Sequence, residues 1–547
     1  MTTPPTQLAP TDADLIFDKG DVAPHALALR AKERPDDVGI QVVGGRAWTY
    51  RELDEGAHVW AAALRRAGVA PGDHVATLMP NSVETYLLWF GISWAGAVEV
   101  PFNTAYLGTM LSYAIDAADV TTIVIHRSFV PRLNEVLAGR SKLCRVVVVD
   151  TPATGSARVE VEPVDGVTVI GETELFDGVE PDYSLAGPEY RDVAAIIYTS
   201  GTTGPSKPVL VPWPAVFSMW SWAPKDIIEP GESLYMPFPH FHVGGKTVLI
   251  NCLARGARIV LREKFSVTDF WDDVRKYDCK VAGIVGPMTA LIYAQPERPD
   301  DADNPVRALL VGPMIPEIED FEKRFGVKTG VCYGMTEIGA VISSDLDHGP
   351  WYTCGRLRTD YPFPEGRLVN EFDEPVPVGE VGELVVRTKA PWALNLGYYN
   401  MPEKTAEAWR NGWFHTGDAF RLDEDGWFTF VDRMKDTIRR RGENISSFEV
   451  ENIAREFPGV LDCAAFGVPA KLGEDEVMVA VVPMDRATFD IDAFGQYCAE
   501  KLPRFMVPRY VDVLDELPRN ETSLRVKKHE LRAQGVTAST WDSEASK

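Results

Sequence analysis

Cysteine is scarce in this 547-residue chain: there are seven, at 144, 252, 279, 332, 354, 463 and 498, widely spaced and without a C-x-x-C pair. That count excludes a small disulfide scaffold, and it fits reduced thiols in a cytoplasmic protein. Positive charge is also short. Lys and Arg total 55 against 80 Asp and Glu, a net charge of −25, which excludes nucleic acid or an anionic membrane as a partner for the general surface. A polyanion would need a local basic cluster. No charge-free run reaches the roughly 18–20 apolar residues of a spanning helix, and the run 208–224 holds four prolines, which breaks helix further. The first ten residues lack a charged start and an apolar stretch, so no secretory signal is expected. Repeats and low-complexity tracts are missing beyond the first dozen residues. What is present is 45% hydrophobic, 25% charged and 10% aromatic. This composition supports a buried core and excludes disorder and collagen-like repeats. At roughly 150 residues per domain, the length predicts three to four compact units.

The pattern along the chain predicts an α/β protein. Residues 61–68 read as helix and 145–149 as a buried strand. Apolar runs at 193–198, 308–312 and 327–333 each end in a loop rich in Gly, Thr or Pro. Strands ending in this way, with helical segments between them, predict a mostly parallel sheet whose ligands sit at the carboxyl ends of the strands. From about 350 to 434 the texture is β-rich, and Asp423 to Gly426 reads as a hairpin turn. From 435 to 547 a small α+β domain is predicted, with helices at 448–457 and 491–502 and strands at 463–468 and 477–482.

The most informative stretch follows the strand 193–198. It runs Thr199, Ser200, Gly201, Thr202, Thr203, Gly204, Pro205, Ser206, Lys207. Glycines let backbone approach a ligand, amides and hydroxyls donate to phosphate oxygens, and Lys207 adds a charge. The spacing is not G-x-x-x-x-G-K-[ST]. Four further signatures accompany it: Tyr333 to Glu337 as Y-G-x-T-E; Trp413 to Asp418 within G-W-x-x-T-G-D; Asp432, Arg433 and Lys435 followed by Gly442 to Ile445 and Glu449; and the pair of segments 379–383 and 239–245. On these residues, spread over about 190 to 450, the chain resembles the adenylate-forming superfamily of acyl- and aryl-CoA synthetases, firefly-type luciferases and peptide-synthetase adenylation domains.

The resemblance implies a large N-terminal domain (1–434) of mostly parallel α/β sheets with a small β-barrel-like subdomain, and a mobile α+β C-terminal domain (435–547). It implies two half-reactions: a carboxylate attacks the α-phosphorus of ATP to give an acyl-adenylate, then the CoA thiol takes the acyl group and AMP leaves. By resemblance, Thr199, Ser200, Gly201, Thr202, Thr203, Gly204 and Lys207 hold the ATP phosphates. Tyr333 and Gly334 cover the adenine face, and Gly312 with Pro313 approaches its edge. Thr336 donates to the α-phosphate, and Glu337 ligates Mg²⁺ through hard oxygen. Asp418 and Arg433 hold the ribose, and Lys435 is the hinge. Arg433, Lys435, Arg439, Arg440 and Arg441 also concentrate five cations in nine residues. This cluster suits the phosphates of CoA, with Gly442 passing the pantetheine arm. His240 and His242, at i and i+2, could share a metal. The resemblance instead puts His242 at the acyl pocket with Val243, Gly244 and Trp213.

Two departures stand out. Lys207 is followed by Pro208, a residue expected to alter the loop by removing a donor, and Trp213 replaces a usual His or Asn. Near the C-terminus the family's L-P-[KR]-T-x-[ST]-G-K-[IV] becomes Leu517 to Val526 with no Gly-Lys pair, and Arg525 lies nearest the register of the missing lysine. In the family that lysine serves adenylation alone. The expectation is therefore a ligase competent in thioester formation, weak or lost in adenylation, and supplied with acyl-adenylate by a separate synthetase. A complete ligase using Arg525 or Lys527 is the alternative, as are a carrier-protein-loading domain and an inactive acyl-adenylate-binding protein. Trp213, Trp220, Trp222, Phe238 and Phe241 suggest a bulky apolar acid of terpenoid or steroid-like size.

Overall fold

The computed structural model describes residues 22–140, 142–151, 160–199, 206–224, 226–346, 349–434, 438–440, 443–445, 447–469, 475–502, 504–519 and 526–545. They divide into two compact units. The first holds the described residues up to 199, then 206–365 and 386–412; the second holds 366–385 and 413 onward.

Two sheets build the first unit. The larger has nine strands among the described residues, in the order Arg356–Leu357, Gly339–Ser343, Lys328–Met335, Ala308–Gly312, Cys279–Val285, Ser233–Tyr235, Arg258–Leu261, Val38–Val42 and Ala47–Thr49. It is parallel from Lys328–Met335 through Val38–Val42 and antiparallel at both ends. The smaller has seven, in the order Thr168–Gly171, Arg145–Val149, Thr122–His126, His74–Leu78, Val98–Pro101, Val193–Thr199 and Lys207–Pro212, and only the last pair is antiparallel. The mostly parallel core is borne out. Strands covered on both faces are apolar throughout, which is why the run of four buried valines in Arg145–Val149 was readable.

Helices cover these sheets. Tyr50–Arg66 starts with a reciprocal cap: the Thr49 hydroxyl accepts from the Glu52 N–H at 3.2 Å, and the Glu52 carboxylate accepts from the Thr49 N–H at 2.8 Å. Leu53, Ala57, Ala61 and Leu64 then fall on one buried face. Val243–Arg255 begins at His242 and ends at Gly256, whose φ of 67° is the left-handed stop that glycine allows.

A four-stranded sheet runs in the order Pro364–Val369, Val381–Thr388, Phe414–Leu422 and Phe428–Arg433. Its last two strands form the expected hairpin, with Gly426 at φ 84° and the Trp427 N–H donating to Asp423 Oδ1 at 2.8 Å. The α+β segment follows: helix Ser447–Arg455, antiparallel strands Val460–Pro469 and Asp475–Pro483, helix Ile491–Lys501, and Tyr510–Val513 parallel to Asp475–Pro483. Among the described residues no helix is long and apolar enough to cross a membrane.

Candidate active site

In the first unit, Thr199 ends one strand and Lys207 opens its antiparallel partner, directly opposite in register. Ser200, Gly201, Thr202, Thr203, Gly204 and Pro205 lie outside the described residues. Pro208 fits the ladder. Its carbonyl accepts from the Tyr399 N–H at 2.8 Å. The N and O of an extended residue point the same way, so the missing donor faces residues 396–399 and takes no bond from Val193–Thr199. The loop whose geometry Pro208 was expected to alter, 200–205, lies outside the described residues.

Gly312 closes Ala308–Gly312, and Tyr333 and Gly334 lie near the end of the neighbouring strand Lys328–Met335. Gly334 is required sterically, because a Cβ there would collide with the Gly339 carbonyl on the paired strand. The turn from Met335 to Ile338, closed by the Ile338 N–H on the Met335 carbonyl at 3.1 Å, carries Thr336 and Glu337. Thus Gly312, Pro313, Tyr333, Gly334, Thr336 and Glu337 cluster at the carboxyl ends of two adjacent parallel strands, where an open α/β sheet places its ligands.

Glu337 joins this edge to the other sheet. It is 3% exposed, and its Oε1 accepts from the Thr199 hydroxyl and the Tyr398 hydroxyl, both at 3.3 Å. Lys207 Nζ donates to the same Tyr398 hydroxyl at 3.2 Å, with its ammonium 4.3 Å from that ring's centroid. The Glu337 backbone is held from behind: its carbonyl accepts from the Asn395 N–H at 2.9 Å and from the Asn395 side chain at 2.8 Å. Burial, with the Glu337 charge next to it, holds the Tyr398 phenol well above its ordinary pKa, so it stays a donor. Tyr398 and Asn395 were not found in the sequence. Nothing in the tract 393–399 carries a charge or a spacing that marks a site.

His240 and His242 part company. His242 sits at the start of Val243–Arg255, its ring 4.7 Å from that of Phe241. Gly244 faces Phe238, and Val243 is buried. His240 instead joins a buried ion pair: Nε2 lies 2.7 Å from Lys246 Nζ and 3.3 Å from Glu99 Oε1, and Lys246 is bonded directly to Glu99. The shared metal considered for the two histidines has no support, since no metal-holding group of three or more His, Cys, Asp or Glu occurs among the described residues. Trp213 is 1% exposed and stacks on Trp89 with centroids 5.2 Å apart and planes 19° from parallel.

In the second unit, Asp418 and Arg433 face each other across adjacent strands, with Arg433 Nε 2.7 Å from Asp418 Oδ1. Asp418 is 1% exposed. Its N–H donates to the Thr416 hydroxyl at 3.1 Å, and Glu383 holds the Gly417 N–H at 2.9 Å. These bonds fix how the pair is oriented on its two strands. Arg440 has a different occupation from the CoA contact expected of it. It is buried, pairs with Glu476 at 2.6 Å, and donates to the carbonyls of Phe505 and Val507 at 3.1 and 2.9 Å. A guanidinium enclosed in this way serves packing within the unit. Lys435, Arg441, Gly442 and Arg525, and the side chain of Arg439, lie outside the described residues.

The family model described as AMP-binding enzyme matches residues 27–399, and that of the AMP-binding enzyme C-terminal domain matches 449–523. The crotonobetaine/carnitine–CoA ligase of Salmonella enteritidis PT4 is 30% identical over 498 residues, covering 88% of this chain and 93% of that protein. Among solved structures, ATP-bound MatB from Rhodopseudomonas palustris superposes with a TM-score of 0.80 at 25% identity, covering 94% of this chain and 98% of that one. The o-succinylbenzoate coenzyme A synthetase of Bacillus subtilis with AMP gives 0.78 at 23% identity, covering 93% and 98%.

Proposed function

The chain belongs to the AMP-binding enzymes, and on that premise we propose that it is an acid–thiol ligase that makes an acyl-CoA thioester by way of an acyl-adenylate, with adenylation as its weak half. The observation that carries the reading is the joined cluster of Thr199, Glu337, Tyr398 and Lys207 at the strand ends of the first unit. In the first half-reaction a carboxylate oxygen bonds to the α-phosphorus of ATP and pyrophosphate leaves. In the second, the CoA sulfur bonds to the acyl carbon, the bond from that carbon to the phosphate oxygen breaks, and AMP leaves. Lys207 and Thr336 would hold phosphate oxygens. Asp418 and Arg433 would orient the ribose. Mg²⁺ fits Glu337, because that ion takes one or two carboxylates and completes its shell with water and substrate phosphates. Bound there, it would neutralise phosphate charge.

The C-terminal segment supports the weak first half. Lys527 pairs with Glu530 of the helix it precedes at 2.9 Å, and Lys528 is held by Glu451 at 2.7 Å and by the Ser447 hydroxyl. Lys528 is thus held within the unit, whereas Lys527 makes only an exposed pair; Arg525 lies nearest the register of the missing lysine, with Lys527 beyond it. Arginine is longer and planar, so it does not reproduce a lysine's point charge. A separate synthetase supplying acyl-adenylate completes this reading. The acid is proposed to be bulky and apolar, in keeping with Phe238, Phe241 and Val243 around His242.

Tyr398→Phe removes the hydroxyl that Lys207 and Glu337 share. ATP-dependent thioester formation should fall roughly tenfold, the worth of one hydrogen bond to a charged group, in steady-state kinetics with ATP varied. The direct test of the proposal supplies synthetic acyl-AMP and CoA. Acyl-CoA and AMP are expected in equal amounts, and absence of thioester with a panel of apolar acyl-adenylates would contradict it.

A further inference from the structure

The Tyr398 hydroxyl that Lys207 and Glu337 share sits on a segment anchored from its other face. Residues 396–399 pair with the strand Lys207–Pro212. The Leu210 N–H donates to the Gly397 carbonyl at 3.0 Å, and the Leu396 and Tyr399 N–H groups donate to the carbonyls of Leu210 and Pro208 at 2.9 and 2.8 Å. Tyr398 lies opposite Val209 in this pairing. Neighbouring side chains of an extended segment point to opposite faces. Tyr398 therefore turns toward Glu337 and Lys207, and Tyr399 turns away from them. The Tyr399 hydroxyl donates to Asp119 Oδ2 at 3.1 Å, and the Asn400 side-chain amide donates to the same oxygen at 3.0 Å. All of these residues belong to the first unit.

Asp119 is suited to be a fixed point. It follows the helix Gly108–Ala117 by two residues with φ at 50°, and Asn400 has φ at 54°. Asp and Asn are among the few side chains that adopt this left-handed conformation routinely, so the backbone is set at both ends of the contact. Lys142 holds the carboxylate as well, with Nζ 2.7 Å from Oδ2. The Lys142 ammonium first, then the Asn400 amide and the Tyr399 hydroxyl, keep the Asp119 carboxyl below its ordinary pKa, so it accepts at neutral pH. The same helix is bonded to both ends of the 199–207 stretch. The Tyr198 hydroxyl donates to the Ala114 carbonyl at 2.7 Å, and the Tyr113 hydroxyl donates to the Ser206 carbonyl at 3.0 Å. One helix thus fixes Lys207 through Ser206, and Tyr398 through Asp119 and Tyr399.

We propose that Asp119 is a positioning residue for the phosphate site: by holding Tyr399 and Asn400 it sets the roll of the 396–400 segment, and with it the place of the Tyr398 hydroxyl between Lys207 and Glu337. This rests on the ligase reading and adds to it a residue that acts through Tyr398. Backbone pairing with 208–210 sets the register of the segment, but such bonds tolerate a range of twist. An anchor on the far face selects one twist. The His74 ring also meets that of Tyr399 edge-on, with centroids 4.8 Å apart, and this contact is kept in every variant below.

The test is calorimetric titration of the full chain with Mg·ATP and, separately, with AMP. Asp119→Gly keeps the left-handed backbone and removes the carboxylate; Asp119→Asn keeps the backbone and an acceptor oxygen. Asp119→Gly should bind Mg·ATP about fivefold more weakly, within the worth of one hydrogen bond to a charged group. AMP lacks the β- and γ-phosphates, and its affinity should change by less than about twofold. Asp119→Asn should return Mg·ATP binding to near the natural value. In a Tyr398→Phe background, Asp119→Gly should add less than about twofold, because a residue acting through another is not additive with it. These dissociation constants do not depend on how much of the protein is folded. Unchanged Mg·ATP affinity in Asp119→Gly, equal weakening of Mg·ATP and AMP, no rescue by Asp119→Asn, or full additivity with Tyr398→Phe would overturn the proposal and leave the ligase reading in place. A natural protein that binds neither nucleotide would reject that reading and this proposal together.

Discussion

Glu99→Ala should lower the folding free energy by about 3–5 kcal/mol, measured as a fall in the urea midpoint at unchanged slope. It strips the counter-ion from Lys246, whose ammonium is 0% exposed and has only His240 as its other hydrogen-bonding partner among the described residues. Replacing the pair together, Glu99→Leu with Lys246→Met, should recover most of that loss, because no buried charge is then left alone. The two effects must be non-additive, as they are for groups in direct contact. The sign of the pH dependence follows from Glu99. Its folded carboxyl is held below the ordinary value of 4.5, at about 2, so its contribution is complete above about pH 4.5 and is lost as the pH falls toward 2. A single variant as stable as the natural protein would contradict the burial of this pair.

Glu337→Gln should have the largest kinetic effect. Thioester formation from acid, ATP and CoA is expected to fall about 10²-fold, since a charged oxygen at the phosphate site becomes a neutral amide. Thioester formation from acyl-AMP and CoA should change less than tenfold, because no pyrophosphate is handled in that half. Parallel steady-state assays of the two arms check this. Equal losses in both would place Glu337 at the acyl or CoA end of the reaction. The Tyr398 and Thr199 hydroxyls that now meet the carboxylate at 3.3 Å can also donate to an amide oxygen, so the substitution changes charge with little change in shape.

Much of the first unit was legible because its parallel strands are apolar throughout and end in marked loops. Val193–Thr199, Ala308–Gly312 and Lys328–Met335 are all of this kind, and the residues at their ends fall together as their positions along the sheet require. Tyr398 was not legible. It reaches Glu337 and Lys207 only through the folded path of the 395–399 segment, which bridges to Val209, and a tyrosine beside a glycine reads as ordinary loop. Arg440 was misjudged for a related reason. A run of arginines looks like a solvated phosphate cluster until one of them is found bonded to Glu476 and two carbonyls in the interior. The Glu99–Lys246 pair did leave a trace, since each is a lone charge inside an apolar run. Only the fold shows that the two runs meet, because 147 residues separate them.

The central claim is that this chain transfers an activated acyl group more readily than it activates one. Exchange of labelled pyrophosphate into ATP, in the presence of an acid whose synthetic adenylate is a good acyl donor, reports the first half-reaction alone. The account predicts exchange about 10²-fold or more slower than acyl transfer from that adenylate to CoA on the same preparation. Exchange as fast as the transfer would contradict it and point to a complete ligase with Arg525 or Lys527 in the lysine's place.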